Sequence, residues 1–204
     1  MKLIVFGATG GTGKEVVKQA LADGHEVTAF IRNPIKMSDE HPLLTIVQGD
    51  ALSMKDVGNA LTGHEAVISC LGSNGLKETN ILTEMTKNIL NGMKTHNIER
   101  IAYVASAGIN KEIPGLTGKL SQFILRNVLK DHGDAVEEIK KQGVHYTIAR
   151  PMQLTTQPLS KTYRQDTHSI PVKGRKIGRA DVAHFLLQSV VQGKHMNESI
   201  GLAY

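Results

Sequence analysis

The sequence predicts a single α/β domain built on a doubly wound parallel sheet, and three observations carry that reading. Short apolar runs alternate with amphipathic stretches along the whole chain, as they must when helices cover both faces of a parallel sheet. Gly24, Gly63 and Gly143 each follow a helical stretch and precede the next apolar run, where a residue free to adopt a left-handed backbone commonly ends a helix. The first apolar run, Leu3-Ile4-Val5-Phe6, enters a glycine-rich turn that opens a helix at once. With 204 residues and 40% hydrophobic content the chain can bury one substantial core, and nothing in it reads as a low-complexity linker.

Taken in order, strands are expected at residues 2–6, 26–31, 43–48, 65–71, 99–105 and 144–149, and helices at 12–22, 53–61, 78–96, 119–142 and 180–192. The turn after the first strand is Gly7-Ala8-Thr9-Gly10-Gly11-Thr12-Gly13. Gly7 permits the sharp exit from the strand, Gly10 lets backbone approach a pyrophosphate, and Gly13 lets the helix pack closely on the sheet. The helix that follows places Val16, Val17, Ala20 and Leu21 on one face. The segment 7–13, with Thr9, Gly11 and Thr12 between the spaced glycines, therefore reads as the dinucleotide-binding turn of a Rossmann-type domain, its anion seated on the unpaired N–H groups of the helix start. A Walker loop ending at Gly13-Lys14 would need glycine at 8 and Ser or Thr at 15, but Ala8 and Glu15 stand there, so ATP or GTP hydrolysis is disfavoured.

Ligands of such sheets bind outside the carboxyl ends of the strands, so the residue after each strand carries the functional reading. Arg32 follows the second strand, where an NAD-specific protein usually has an acid; a guanidinium can pair with the 2′-phosphate of NADP(H), and NADP(H) is expected over NAD(H). The alternative is a solvated arginine at a strand end. Gly49-Asp50-Ala51 follows the third strand, where Asp50 either accepts from the adenine amine, with Ala51 beside it, or starts a turn. Leu71-Gly72-Ser73 after the fourth strand suits the path of the cofactor toward its nicotinamide, or is a plain turn. Ser106 follows the fifth strand and could hold the carboxamide or a substrate carbonyl, or could simply end the strand. Because Val104 stands where a GxSxG elbow needs glycine, Ser106 is not read as a hydrolase nucleophile. The stretch on to Gly118, with Pro114-Gly115, is the longest loop-like segment and a plausible substrate flap.

The sixth strand runs into Arg150-Pro151-Met152-Gln153, with Pro151, Met152 and Gln153 expected at the nicotinamide end, and residues 159–163 and 168–172 read as a short strand pair beside it. Residues 1–204 are thus expected to form one NAD(P)-binding domain in which 151–180 is a substrate-side extension. Asp181 suits the first turn of the last helix and is read as structural.

Composition narrows the partners. The formal charge of +5 is dispersed and aromatics make up 4% of residues, which suits a phosphate-rich cofactor and does not favour nucleic acid. Nine histidines without an HExxH motif or a Cys/His cluster give no metal site; His25, His64 and His96 read as turn or surface residues. Cys70, the single cysteine, excludes an intrachain disulfide and reads as a small hydrophobe ending an apolar strand. With neither a membrane-spanning apolar stretch nor a signal peptide, no membrane partner and a cytoplasmic location are expected. Monomer and dimer both remain open.

The ordered set GATGGTG, Arg32, Gly49-Asp50, Ser106, Arg150-Pro151 and GRADVA at 178–183 resembles the atypical short-chain dehydrogenase/reductase superfamily over essentially the whole chain. The same set is more narrowly similar to the NmrA-like NAD(P)H-binding group that includes flavin reductase/biliverdin reductase B-like proteins, and Leu71-Gly72, Asp131-His132 and Gln157-Pro158-Leu159 resemble that flavin reductase branch. That resemblance implies an NADPH-dependent reductase acting on flavins, quinones or linear tetrapyrroles. Two departures matter. The Tyr-x-x-x-Lys pair of catalytic short-chain dehydrogenases is absent, since Ala107, Arg150 and Thr167 follow Tyr103, Tyr146 and Tyr163 at that spacing. Gln153 stands where flavin reductase members can carry a histidine, and it cannot titrate. The general acid is then His132, solvent, or none, with His132 as an exposed helix residue the alternative to a catalytic one. A site without a titrating acid favours planar redox acceptors, which solvent can protonate after hydride arrives. The competing reading is a non-catalytic NmrA-like redox sensor; a sugar-nucleotide epimerase, which normally uses the Tyr/Lys pair, ranks third.

Overall fold

A computed structural model describes residues 1–37, 40–72, 75–113 and 115–204, without the side chains of Leu116, Thr117, Lys119 and Ser121; Ser73 and Pro114 thus lie outside the described residues. The chain runs β1 (Lys2–Phe6), α1 (Gly11–Ala22), β2 (Glu26–Ile31), a 3-10 turn (Pro34–Lys36), β3 (Leu44–Gln48), α2 (Met54–Leu61), β4 (Ala66–Ser69), α3 (Ile81–Thr95) and β5 (Arg100–Val104). It continues through α4 (Gly115–Ile124), α5 (Arg126–Lys141), β6 (His145–Pro151), β7 (Gln153–Thr155), β8 (Arg164–Asp166), β9 (Lys176–Gly178), α6 (Arg179–Val191) and β10 (Glu198–Ala203). The main sheet has the order β3-β2-β1-β4-β5-β6-β10-β8, parallel except for β8, and β7 pairs with β9 in a separate parallel ribbon.

The strands are apolar throughout because both sheet faces are covered. Leu3 and Val5 of β1 pack under Val16, Val17 and Ala20 of α1 and Val182, Phe185 and Leu186 of α6. Ile4 and Phe6, their neighbours in sequence, point to the other face and meet Val57 and Leu61 of α2, Ile89 and Met93 of α3, and Val136 and Ile139 of α5. Strand order reverses between β1 and β4, so a crevice opens at the carboxyl ends of these two strands, where a doubly wound sheet binds its ligand. Gly24, Gly63 and Gly143 all have φ between 72° and 78°, as helix-ending glycines require.

Three parts differ from the sequence reading. The pattern at 119–142 is two helices, starting at Gly115 and broken at Leu125, so the segment read as a loop as far as Gly118 is partly helical. The break separates two kinds of face: Leu129, Ala135, Val136 and Ile139 are buried, whereas Leu120, Phe123 and Ile124 are exposed. Residues 159–163 and 168–172 do not pair as strands. Arg164–Asp166 runs antiparallel to β10 instead, through the register Gly201↔Asp166, and the short pair beside β6 is β7–β9. β10 went unread because Gly201 and the flanking polar residues interrupt its apolar pattern, yet Ile200, Leu202 and Ala203 are fully buried.

Candidate functional site

The turn between β1 and α1 is shaped by backbone contact. Gly7 has φ +75°, and a Cβ there would come within 2.5 Å of the Cys70 carbonyl oxygen, so β1 and β4 meet too closely at the switch point for any side chain. Gly10 N–H donates to Gly7 O at 3.0 Å, and Lys14 N–H, to Gly10 O at 2.9 Å, makes the first bond of α1. The N–H groups of Gly11, Thr12 and Gly13 precede it in the first turn, and no side chain caps the helix start. Together they form an uncapped anion seat.

Beside this seat lies a cavity of about 460 Å³. Gly7, Thr9 and Gly10 line it from the turn, Arg32 from the end of β2, Asp50 and Ala51 from the end of β3, and Leu71 and Gly72 from the end of β4. The structure therefore gathers these expected cofactor residues into one place. Gly11, Thr12 and Gly13 stand behind them as the start of α1. Asp50 accepts from Leu52 N–H at 3.0 Å, the turn-starting bond that was the alternative to an adenine contact. Cys70 also lines the cavity, and burial pushes its thiol up to about 12, which favours the protonated thiol over the thiolate.

Lys36 was not singled out in the sequence, yet it lines the same cavity as Arg32. It is placed there by the 3-10 turn at 34–36, which Asn33 caps by accepting from Ile35 N–H at 3.1 Å. A basic residue four positions after Arg32, behind an Asn-Pro turn signal, was the available clue.

A second cavity, of about 800 Å³, opens at the ends of β5 and β6. Ser106, Pro151, Met152 and Gln153 all line it, together with apolar Ala105, Ala107, Ile113, Leu125 and Leu154. The Ser106 hydroxyl is half-buried and donates to Ala107 O at 3.0 Å, which leaves its lone pairs for an incoming donor. Two cations complete the lining: Arg179, read from the sequence only as part of the GRADVA motif, and Arg175, which the sequence reading did not name. No Asp, Glu, His, Tyr or Lys is among the described lining residues.

The wall of that cavity rests on Arg150, the first residue of the Arg-Pro pair. It is wholly buried, forms an ion pair with Glu112, and donates to Ser199 Oγ at 3.0 Å and Ser199 O at 3.1 Å. Glu112 also accepts from Asn110 N–H at 3.0 Å. Arg150 thus ties the segment after β5, which carries Ile113, to β10.

His132 requires correction. It is absent from the lining of both cavities and is not exposed either. The residue is 7% exposed, with Nδ1 at 3.1 Å from the Tyr103 hydroxyl. Burial pushes its pKa down to about 4, leaving a neutral imidazole at pH 7, and burial raises the Tyr103 hydroxyl as well. Neighbouring Asp131 has a clear structural task. Its carboxylate accepts from Leu82 N–H, Thr83 N–H, Thr83 Oγ1 and Thr79 Oγ1 at 2.8–3.1 Å, capping α3 from α5. Desolvation pushes its pKa up, but these bonds outweigh it and hold the carboxyl below its usual range. Thr79 and Ile81, fixed in this way, form part of the first cavity. Asp181 is structural as expected: it accepts from Ser160 N–H, Ser160 Oγ, Lys161 N–H and Tyr204 Oη at 2.7–3.1 Å.

Comparison with known proteins agrees with this geometry. A family described as NAD(P)H-binding matches residues 7–192. An uncharacterized chloroplastic protein of Arabidopsis thaliana is 27% identical over 205 residues, covering 94% of this chain and 72% of that protein. Among solved structures, a short-chain dehydrogenase/reductase from Veillonella parvula in complex with NADP superposes with TM-score 0.87 at 18% identity, covering 100% of this chain and 94% of that one. The anaerobillin reductase ChuY of Escherichia coli O157:H7 gives TM-score 0.81 at 19% identity, over 98% and 97% of the two chains. Both share the fold. Among the described residues no helix is long and apolar enough to cross a membrane.

Proposed function

The chain belongs to the NAD(P)H-binding family, and on that premise we propose that it is an NADPH-dependent reductase of planar redox acceptors: flavins, quinones or linear tetrapyrroles. The observation that carries the proposal is the second cavity, large and mostly apolar, joined to the cofactor turn through Arg179 and lined by no described carboxylate, imidazole, phenol or amine that could act as an acid. Such a site suits an acceptor that needs positioning and hydride, with its proton taken from water.

When bound, NADPH supplies a hydride that, with one proton from solvent, reduces a quinone to a quinol and leaves NADP⁺. The chain's own residues hold and orient. The uncapped start of α1 would seat the pyrophosphate, Arg32 and Lys36 would attract a 2′-phosphate, and Ala51, with the Asp50 carboxylate oxygen that Leu52 N–H does not use, would border the adenine. Leu71 and Gly72 border the path toward β5. Ser106 accepts from a carboxamide N–H or fixes the acceptor, while Pro151, Met152 and Gln153 shape the nicotinamide end. Arg175 and Arg179 add positive charge to a cavity without acids, which favours acceptors bearing carboxylates or a phosphate. Residues 151–180 act as the substrate-side extension.

The likeness to ChuY and to the NADP-bound protein supports this reading at the level of fold. The missing Tyr/Lys pair favours a second reading, a dinucleotide-binding redox sensor without turnover. A screen of NADPH consumption over FMN, FAD, quinones and biliverdin separates the two: oxidation with at least one acceptor supports the reductase, and tight binding without any oxidation supports the sensor.

A further inference from the structure

Two segments that line the second cavity share an unusual surface. One is α4, whose Gly118 lines the cavity together with Leu125 just beyond it; the other is the turn leading to Arg175. On α4, Leu120, Phe123 and Ile124 are 61%, 67% and 51% exposed. Their i, i+3, i+4 spacing puts them on one face, which nothing in the described chain covers. In the turn that leads to Arg175, Val172 is 75% exposed. Clustered large apolar side chains at the rim of a ligand cavity mark an interaction surface.

Charge identifies what the surface meets. Residues 111–126 contain Lys111, Lys119 and Arg126 against one acid, Glu112, whose carboxylate is buried on Arg150. Residues 171–179 contain Lys173, Arg175, Lys176 and Arg179 and no acid. Lys111, Arg126, Lys173, Arg175 and Lys176 are all exposed, and the Arg126 guanidinium lies 5.4 Å from the Phe123 ring centroid. Exposed apolar side chains set among cations on two segments that line one cavity match an anionic bilayer surface, where the apolar groups enter the acyl boundary and the cations meet headgroups. A second copy of the chain fits worse, because a two-fold axis through this face would set its cations against themselves.

We propose that α4 and the 172–176 turn dock the protein on anionic lipid with the mouth of the second cavity toward the bilayer, from which a long-tailed quinone can enter. The docking surface needs no spanning helix. It rests on the reductase reading only for the identity of the acceptor.

The test is flotation of the full chain with vesicles of phosphatidylcholine alone and of phosphatidylcholine mixed with phosphatidylglycerol, at low and high salt. The chain is expected to float with the mixed vesicles, to float far less with the neutral ones, and to be released by salt. Leu120→Ser with Phe123→Ser should reduce the bound fraction roughly tenfold or more, since each buried apolar side chain contributes several-fold to binding. That variant should keep wild-type melting and wild-type stabilisation by NADPH. No flotation with mixed vesicles, equal flotation with both, or an unaffected variant overturns the docking surface. So does a solution mass of twice 22.2 kDa that the double variant halves, which would give the face to a second copy. Failure of NADPH to stabilise the wild type would sink the reductase reading and leave flotation to decide the surface.

Discussion

Arg179 lies across Gly11: a Cβ on that glycine would come within 2.5 Å of Arg179 Cδ and 2.7 Å of its Nε. The same arginine lines the second cavity, so one side chain spans the anion seat and the acceptor side of the site. Removing it as Arg179→Ala should weaken NADPH binding about tenfold to a hundredfold, the worth of one charge-assisted hydrogen bond of roughly 1.5–3 kcal/mol. Gly11→Ala should act in the same direction by displacing the flexible end of Arg179 while leaving the fold intact. Calorimetric titration decides the matter, and unchanged affinity in both variants would remove Arg179 from the cofactor site.

Cofactor choice is expected to follow Arg32, helped by Lys36. The wild type should bind NADP(H) more tightly than NAD(H), and Arg32→Asp should reduce or reverse the ratio, since the new carboxylate repels a 2′-phosphate and can accept from a ribose hydroxyl. Equal affinities for the two cofactors, unchanged in the variant, would mean that Arg32 is a solvated strand-end residue.

Gly10 offers a clean separation of fold from binding. Its φ is −74° and ψ 161°, ordinary for a β-branched residue, and an added Cβ meets only Gly7 O, at 3.2 Å. Gly10→Val should therefore melt close to the wild type yet lose stabilisation by NADPH, because the new side chain occupies the approach of the pyrophosphate. Wild-type stabilisation by NADPH in the variant would show that the anion seat lies elsewhere.

The buried His132 predicts a pH dependence of stability. Its folded pKa, about 4, lies below the unfolded value of about 6.5, so the unfolded chain takes up the proton first. The contribution is fully present above pH 6.5 and is lost as pH falls toward 4, on the order of 3 kcal/mol at the extreme. His132→Asn should flatten the fall in urea-unfolding free energy across that window, whereas turnover between pH 6 and 8 should show no inflection belonging to His132. An inflection that disappears in the variant would return the histidine to the chemistry.

Much of this was legible because parallel strands buried on both faces leave unbroken apolar runs, and the turns at their carboxyl ends then locate the crevice. The six sheet strands expected between residues 2 and 149 all appear within two residues of their expected ends, whereas the strand pair expected at 159–163 and 168–172 does not form. The first cavity was readable for the same reason: Gly7, Arg32, Asp50 and Leu71 each follow a strand. What escaped depends on contacts remote in sequence. Arg179 approaches Gly11 from the other end of the chain, Asp131 caps a helix whose N–H groups lie about fifty residues earlier, and the role of Arg150 appears only once Glu112 and Ser199 converge on it. His132 was misread because its helix is rich in Lys, Asp and Glu, so a local pattern could not separate the buried stripe from the solvated face. β10 escaped because Gly201 and its polar neighbours interrupt the apolar signal on which strand reading depends.

The central claim is that the chain turns over NADPH with a planar acceptor, and stopped-flow mixing of the NADPH-loaded protein with FMN, menadione or biliverdin tests it most directly. Loss of nicotinamide absorbance well above the uncatalysed rate is expected with at least one of the three, with negligible oxidation of simple secondary alcohols in the reverse direction. Tight NADPH binding with no acceptor reduced above background would contradict it.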